Sequence, residues 1–425
     1  MFSKKRIITD KNFNIKDFLT YFLKHIKSLP LQLSLAVIIG LLSGASGFIF
    51  AKSITFVTEL REQNGWLLFL LPFLGLISVF TYKLFKTTDI GTNQVLEAVN
   101  GERNLPVLLY PAIFIGTLIT HLCGGSAGKE GAALQLGGSL AALISKIFKL
   151  KANDKQMLTV CGMAGLFSAA FGTPLGACVF ALEVIYIGHI YYSALLPAFI
   201  SSLVSHFVAT NCGLEPERFV FSFNNKLELN ILWKALVIAL LGAIVSFIFC
   251  KALHLSEKYF KKSIKNPYIR IFVGGIILVF LSLISRTNAY NGSGINIISE
   301  IFANGEVQPE AFLIKIIFTA VTVAAGFKGG EIVPTMFIGS SLGGSLALIL
   351  GLEPALGAAI GLAALLSGVT KCPFATVFLC AELLGANTLL FIFVPAILSF
   401  LLSGHTGLYT KKGLFAKPYN TVAKL

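Results

Sequence analysis

Gly128-Lys129-Glu130-Gly131 and, 201 positions later at the glutamate, Lys328-Gly329-Gly330-Glu331 are the two stretches on which the fold turns. Each joins a glycine run to an acid and then enters a long apolar segment, in a chain otherwise poor in membrane-depth charge. A glycine run that opens a hydrophobic helix presents unpaired backbone N–H groups and a positive dipole end, which attract anions. A carboxylate placed at the same point competes with an anion for those donors. The pair of motifs therefore marks an ion pathway.

Composition fixes the solvent. The chain is 55% hydrophobic and 13% charged, with a mean hydropathy of +0.81, whereas a soluble domain is about a quarter charged. Apolar stretches at 32–52, 67–82, 107–123, 156–187, 191–211, 231–253, 270–285, 311–326, 334–369, 373–384 and 388–403 fill most of the 425 residues. Several depart from the roughly 20 residues of a simple span. Lengths this uneven, broken by Gly and Pro, predict an all-α polytopic membrane protein with tilted and discontinuous helices, buried where their backbone is open.

The net charge of +14 is distributed as membrane topology, not as a nucleic-acid surface. Lys4, Lys5, Arg6, Lys11, Lys16, Lys24 and Lys27 precede the first span, and Lys411, Lys412, Lys417 and Lys424 follow the last. Basic residues collect on the cytoplasmic side, so both termini are expected there, with loops around Lys146–Lys155 and Lys258–Lys265. The polar start is too long for a cleavable signal, and the first span is expected to be retained. Cys123, Cys161, Cys178, Cys212, Cys250, Cys372 and Cys380 lack paired or His-linked spacing and read as packed thiols. The scattered histidines give no metal site, and no cofactor is expected.

The chain also repeats itself. Gly162-Met163-Ala164-Gly165-Leu166-Phe167-Ser168 matches Gly361-Leu362-Ala363-Ala364-Leu365-Leu366-Ser367 at an offset of 199, which also carries Pro174 to Pro373 and Glu183 to Glu382. Asn100-Gly101-Glu102 and Asn304-Gly305-Glu306 extend the match upstream at an offset of 204. Low-complexity Gly/Ala/Leu patterns are the plain alternative, but ordered matches over a long stretch favour duplication. The organisation expected is a basic segment 1–31, a first membrane repeat 32–212, a polar linker 213–230, a second repeat 231–403 and a tail 404–425 carrying Tyr409. Duplicated transporter halves enclose their substrate near the midplane.

With these motifs in order, the chain resembles the CLC family of chloride channels and proton-coupled anion antiporters. Four loops carry the resemblance: Gly91-Thr92-Asn93-Gln94-Val95, Gly128-Lys129-Glu130-Gly131-Ala132, Gly330-Glu331-Ile332-Val333-Pro334 and Leu408-Tyr409-Thr410. It implies a CLC-type fold of two inverted-topology repeats, a homodimer with one pathway per subunit, and location in the cell membrane. It implies further that Glu130 gates the anion site and carries the proton. Thr92 or Asn93, the backbone of Gly128, Gly131, Gly330, Ile332 and Val333, and the Tyr409 hydroxyl would bind the anion, with Lys129 adding positive potential.

The departures matter too. Thr92 or Asn93 stands where the family has serine, Ala132 where it has proline, and Val184 where chloride antiporters carry an inner proton acceptor. Glu331 enters a loop that is usually neutral there. Together these resemble the fluoride/proton antiporter clade, with Glu331 a second proton carrier, since two acids on one pathway suit proton transfer in coupled steps. The alternative is a chloride/proton antiporter or chloride channel. Gly292-Ser293-Gly294-Ile295 has the wrong place in chain order for the first anion loop and reads as its second-half counterpart. Glu183 and Glu382 read as structural carboxylates at helix ends. Remotely, Gly124-Gly125-Ser126-Ala127-Gly128, with His206 in an apolar run, fits the spacing of an intramembrane serine hydrolase.

Overall fold

The computed structural model describes residues 15–88, 90–219 and 228–409, with side chains from residue 29 on. The outer basic residues of both termini and part of the linker at 213–230 lie outside the described residues. Sixteen α-helices and no strands occur among the described residues: α1 Ile15–Gln63, α2 Leu71–Leu84, α3 Thr92–Val99, α4 Leu109–Leu122, α5 Glu130–Ile147, α6 Ala152–Phe171, α7 Pro174–Glu183 and α8 Leu195–Asn211, then α9 Leu229–Ser263, α10 Pro267–Ser285, α11 Ile295–Asn304, α12 Ala311–Ala325, α13 Ile332–Leu350, α14 Pro354–Thr370, α15 Pro373–Leu384 and α16 Leu389–Leu402. Six segments among them are long and apolar enough to cross a membrane; the others are shorter.

Two apolar runs that read as single stretches are each broken in two, for local reasons. Within 156–187, α6 stops at Gly172, whose φ of +74° is a left-handed conformation, and Pro174 starts α7 at a position where its missing N–H costs nothing. Within 334–369, Gly351 ends α13 and Pro354 starts α14. Apolar residues continue across both breaks, so hydropathy alone does not reveal them.

Packing is duplicated. α1 lies on α6 and α8 as α9 lies on α14 and α16; α5 crosses α6 as α13 crosses α14; α3 touches α5 and α6 as α11 touches α13 and α14. The α5–α6 crossing is made by glycines: a Cβ on Gly137 would run into the Gly162 carbonyl, and one on Gly343 into Gly357 in the second half. Small residues let helix backbones approach where apolar lipid offers no hydrophobic drive to associate. α6 is buried throughout Met157–Phe171 and α14 throughout Ala355–Thr370, so these two helices are the core. The outer helices expose Phe56, Phe73, Phe80, Leu240, Ile244 and Phe280, the apolar surface expected against acyl chains.

The halves meet through equivalent elements: α2 on α10, α5 beside α13 and α7 on α15. At the last contact the Glu183 carboxylate accepts N–H groups of Phe374 (3.3 Å) and Ala375 (2.7 Å) at the start of α15. Glu382 accepts those of Leu175 (3.0 Å) and Gly176 (2.8 Å) at the start of α7. Each repeat thus caps a helix of the other, which supports the structural reading of both acids.

Candidate functional site

Both glycine-acid motifs end at helix starts, and the fold brings those starts together. The Gly128 N–H donates to the Gly330 carbonyl (2.7 Å) and the Gly330 N–H to the Gly128 carbonyl (2.6 Å), an isolated antiparallel bridge between the halves. The glycines are required by closeness: a Cβ on Gly131 would sit 2.9 Å from Gly330 Cα. The bridge also corrects the expectation for Gly128 and Gly330. Their amides are engaged with each other, so they seat the loops, and the donors of the helix starts come from the following residues. Gly131 opens α5, and Ile332 and Val333 open α13, in first turns whose N–H groups have no carbonyl one turn earlier.

Glu130, the first residue of α5, is fully buried, and neither carboxylate oxygen has a hydrogen-bond partner. Its carboxylate folds back over Gly128, toward Val333. Glu331 occupies the N-cap position of α13 without a side-chain capping bond and is half-buried, and its Oε2 comes within 3.7 Å of where a Gly131 Cβ would stand. The two acids therefore flank one bridge.

A cavity of about 470 Å³ reaches Glu331, while Glu130 is not among its lining residues. Thr92, Asn93, Glu331 and Tyr409 all line it, so four sequence-predicted residues from three separate loops converge there. Tyr409 is set by the end of α14: the Leu408 N–H donates to the Val369 carbonyl (2.8 Å), and the Lys371 stem packs under Gly407 while its Nζ meets the Ser403 hydroxyl at 2.5 Å. Tyr409 Oη is buried without a hydrogen-bond partner. Buried polar atoms are nearly always paired, so orphans at Glu130 and Tyr409 are notable. Lys129, by contrast, pairs with Glu217 at 2.6 Å and lies 5.9 Å from the Phe171 ring centre.

Sequence reasoning missed three contributors. Gln135 lines the cavity and donates through Nε2 to Thr92 Oγ1 at 3.0 Å. Tyr82 lines it as well, with Lys328 Nζ 4.4 Å from its ring centre. Glu217, the partner of Lys129, comes from a linker with no periodicity to read. A polar Gln in an apolar helix start was the available signal for Gln135.

Gly292-Ser293-Gly294-Ile295 is absent from the cavity lining. It starts α11, bonds to the first half through Gly292 N–H and the Gly124 carbonyl (3.3 Å), and is held by Lys315 Nζ on the Gly292 carbonyl (2.8 Å). Ser126 Oγ pairs with Thr319 Oγ1 at 3.0 Å and its N–H with Thr322 Oγ1 at 3.0 Å. A nucleophile needs a base at that distance, and a threonine is not one.

The sequence pattern of the Voltage gated chloride channel family matches residues 74–404. The chain belongs to the CLC family. Its relatives include a Chloride/fluoride channel protein of Pseudomonas syringae pv. tomato, 32% identical over 89% of this chain and 85% of that protein. The H(+)/Cl(-) exchange transporter ClcA of Vibrio vulnificus is 26% identical over 90% of this chain and 88% of that protein. Among solved structures, a CLC-type fluoride/proton antiporter superposes with a TM-score of 0.88 at 33% identity, covering 91% of this chain and 98% of that one. A slow cyanobacterial Cl-/H+ antiporter shares the fold at a TM-score of 0.80 and 20% identity, over 89% and 96%. As a CLC protein the chain is a multi-pass membrane ion transporter and not an enzyme, and its fold is that of two inverted-topology repeats.

Proposed function

We propose that this CLC protein exports fluoride in exchange for protons, with Glu130 as gate and proton carrier. The observation that carries this reading is a fully buried carboxylate without a hydrogen-bond partner at a helix start, next to the Gly128–Gly330 backbone bridge whose other side carries Glu331, a residue of the donor-lined cavity. An ionised acid at membrane depth costs on the order of 2.5–3.5 kcal/mol, so such a group is functional by default. Deprotonated, Glu130 takes the anion's place at the start of α5. Protonated, it leaves that place, carries its proton, and an anion enters. Glu331 is the second proton carrier.

Fluoride suits the lining. A compact, strongly hydrated anion needs dense donors to replace its water, and Thr92, Asn93, Tyr409 and the first-turn amides of α5 and α13 are of that kind. Two relatives above 30% identity carry fluoride in their names, one of them together with chloride. Fluoride enters cells as its neutral weak acid and dissociates in a more alkaline interior, so inward proton movement is a fitting driving force. The protein acts in the cell membrane as a homodimer with both termini cytoplasmic. The Vibrio relative favours chloride/proton exchange as the second reading.

The test is efflux from proteoliposomes, with fluoride and chloride electrodes and a pH dye. Fluoride-selective efflux coupled to uphill proton movement, with coupling lost in Glu130→Gln, is the expected result. Chloride flux at an equal or greater rate overturns the fluoride assignment, and the proton trace then separates an exchanger from a channel.

A further inference from the structure

A second cavity, of about 870 Å³, lies between α2 and α10 and shares a wall with the first. Its lining is basic: Lys83, Lys261, Lys265, Arg270 and Lys328. The remainder mixes apolar and aromatic residues, Val79, Tyr82, Pro267, Tyr268 and Ala325, with the neutral polar Ser78, Thr88 and Asn266. The sequence explains the charge. Lys83 lies in the last turn of α2, Lys261 in the last turn of α9, and Lys265 in the turn that leads into α10.

Two further observations point to a ligand. Arg270 Nε is buried and has no hydrogen-bond partner, on the wall that this cavity shares with the first. The start of α10 also opens there: Asn266 caps it by accepting the Tyr268 N–H at 2.9 Å, and the positive end of a 19-residue helix adds to the field of the cations. Lys83 Nζ sits 5.8 Å from the Tyr268 ring centre, at the mouth. The same two helices expose Phe73, Ile77, Phe80, Ile269, Ile276 and Phe280 along their outer faces. A cavity that is cationic inside and flanked by lipid-facing apolar surface fits an amphiphile with an anionic head.

We propose that this cavity binds the phosphate headgroup of an acidic phospholipid, with the acyl chains along α2 and α10. Clusters of four to eight basic residues beside membrane helices, and basic pockets between such helices, recognise anionic headgroups in this way. Arg270 supplies planar, paired donors to the phosphate oxygens, and the lysines supply point charges. Inorganic phosphate has the same head chemistry without the chains. Occupancy reaches the ion site through Lys328, which lines both cavities and directly precedes Gly329-Gly330-Glu331. That second consequence rests on the reading of the first cavity as the ion pathway; the binding itself does not.

The experiment is native mass spectrometry of the full-length protein in detergent, titrated with phosphatidylglycerol, with phosphatidylcholine, and with inorganic phosphate as competitor. The wild type is expected to retain phosphatidylglycerol selectively. Lys83→Gln and Lys265→Gln should each weaken that retention about fivefold, from the worth of one basic residue at an acidic surface. Phosphatidylcholine retention and anion efflux in phosphatidylcholine vesicles should not change. Equal retention of the two lipids, or no loss in the double variant, overturns the site. Displacement of the lipid by equimolar inorganic phosphate overturns the lipid assignment. Loss of proton coupling in Glu130→Gln is read separately, so failure of the transport reading leaves this result intact.

Discussion

At the residue scale, the site consists of polar side-chain atoms brought to one cavity wall. Tyr409 Oη is buried and unpartnered, while Thr92 Oγ1 accepts from Gln135 and so has its own proton left to donate. On the proposed reading, these are two different ways of aiming a donor at an anion. Tyr409→Phe keeps the ring and removes the donor, so anion binding should weaken by about 1.5–3 kcal/mol, the worth of a hydrogen bond to a charged group. Gln135→Leu should weaken binding less, because it releases the Thr92 hydroxyl without deleting it. Fluoride titration by calorimetry measures both, and unchanged affinity in Tyr409→Phe would remove that hydroxyl from the site.

Glu130 and Glu331 stood out as candidates because charge is conspicuous in an apolar chain, whereas Tyr409, one of eleven tyrosines, was singled out only through the family resemblance. Gln135 was not, since one amide inside a helix start resembles a packing residue until its partner is known. The amides of Gly128 and Gly330 were expected to face the anion and instead bond each other. No pattern along the chain can say which of two available acceptors a backbone donor takes.

At the element scale, the offset-199 match of Pro174 to Pro373 and Glu183 to Glu382 becomes a reciprocal contact. Each proline begins a helix, and each glutamate caps the helix of the other repeat. A carboxylate on two backbone donors at a positive helix end is a favourable arrangement, and loss of a cap costs about 0.5–2 kcal/mol. Glu183 is buried and Glu382 only partly so, which ranks them. Glu183→Ala should lie near the top of that range and Glu382→Ala near the bottom, read as thermal unfolding in detergent. Glu183→Gln should recover part of the loss and leave proton coupling intact; loss of coupling there would mean that Glu183 carries protons. The sequence made the two acids equivalent, but only their crossing shows what each one holds.

At the scale of the whole molecule, burial sorts groups that composition treats alike. All seven cysteines read as packed thiols, and six are buried, but Cys212 at the end of α8 is exposed. Helix ends in a membrane protein emerge from the apolar layer, so a cysteine there reaches water. A maleimide should therefore modify one thiol in the folded protein and seven after denaturation, counted by intact mass. An impermeant reagent applied to sealed vesicles then reports the side on which α8 ends.

The sequence alone determined that the chain is helical and membrane-embedded, that it is duplicated, and that two acids begin apolar helices. Those properties depend on composition, period and order, which are local or additive along the chain. The tertiary structure decided which helices break, that the two glycine loops bond back to back, that Lys129 is paired with Glu217, and that residues from three loops share one cavity. It also gathered five cations from four places in the chain between α2 and α10. Such outcomes depend on distances between residues remote in sequence, and those distances are fixed only when the two halves pack against each other.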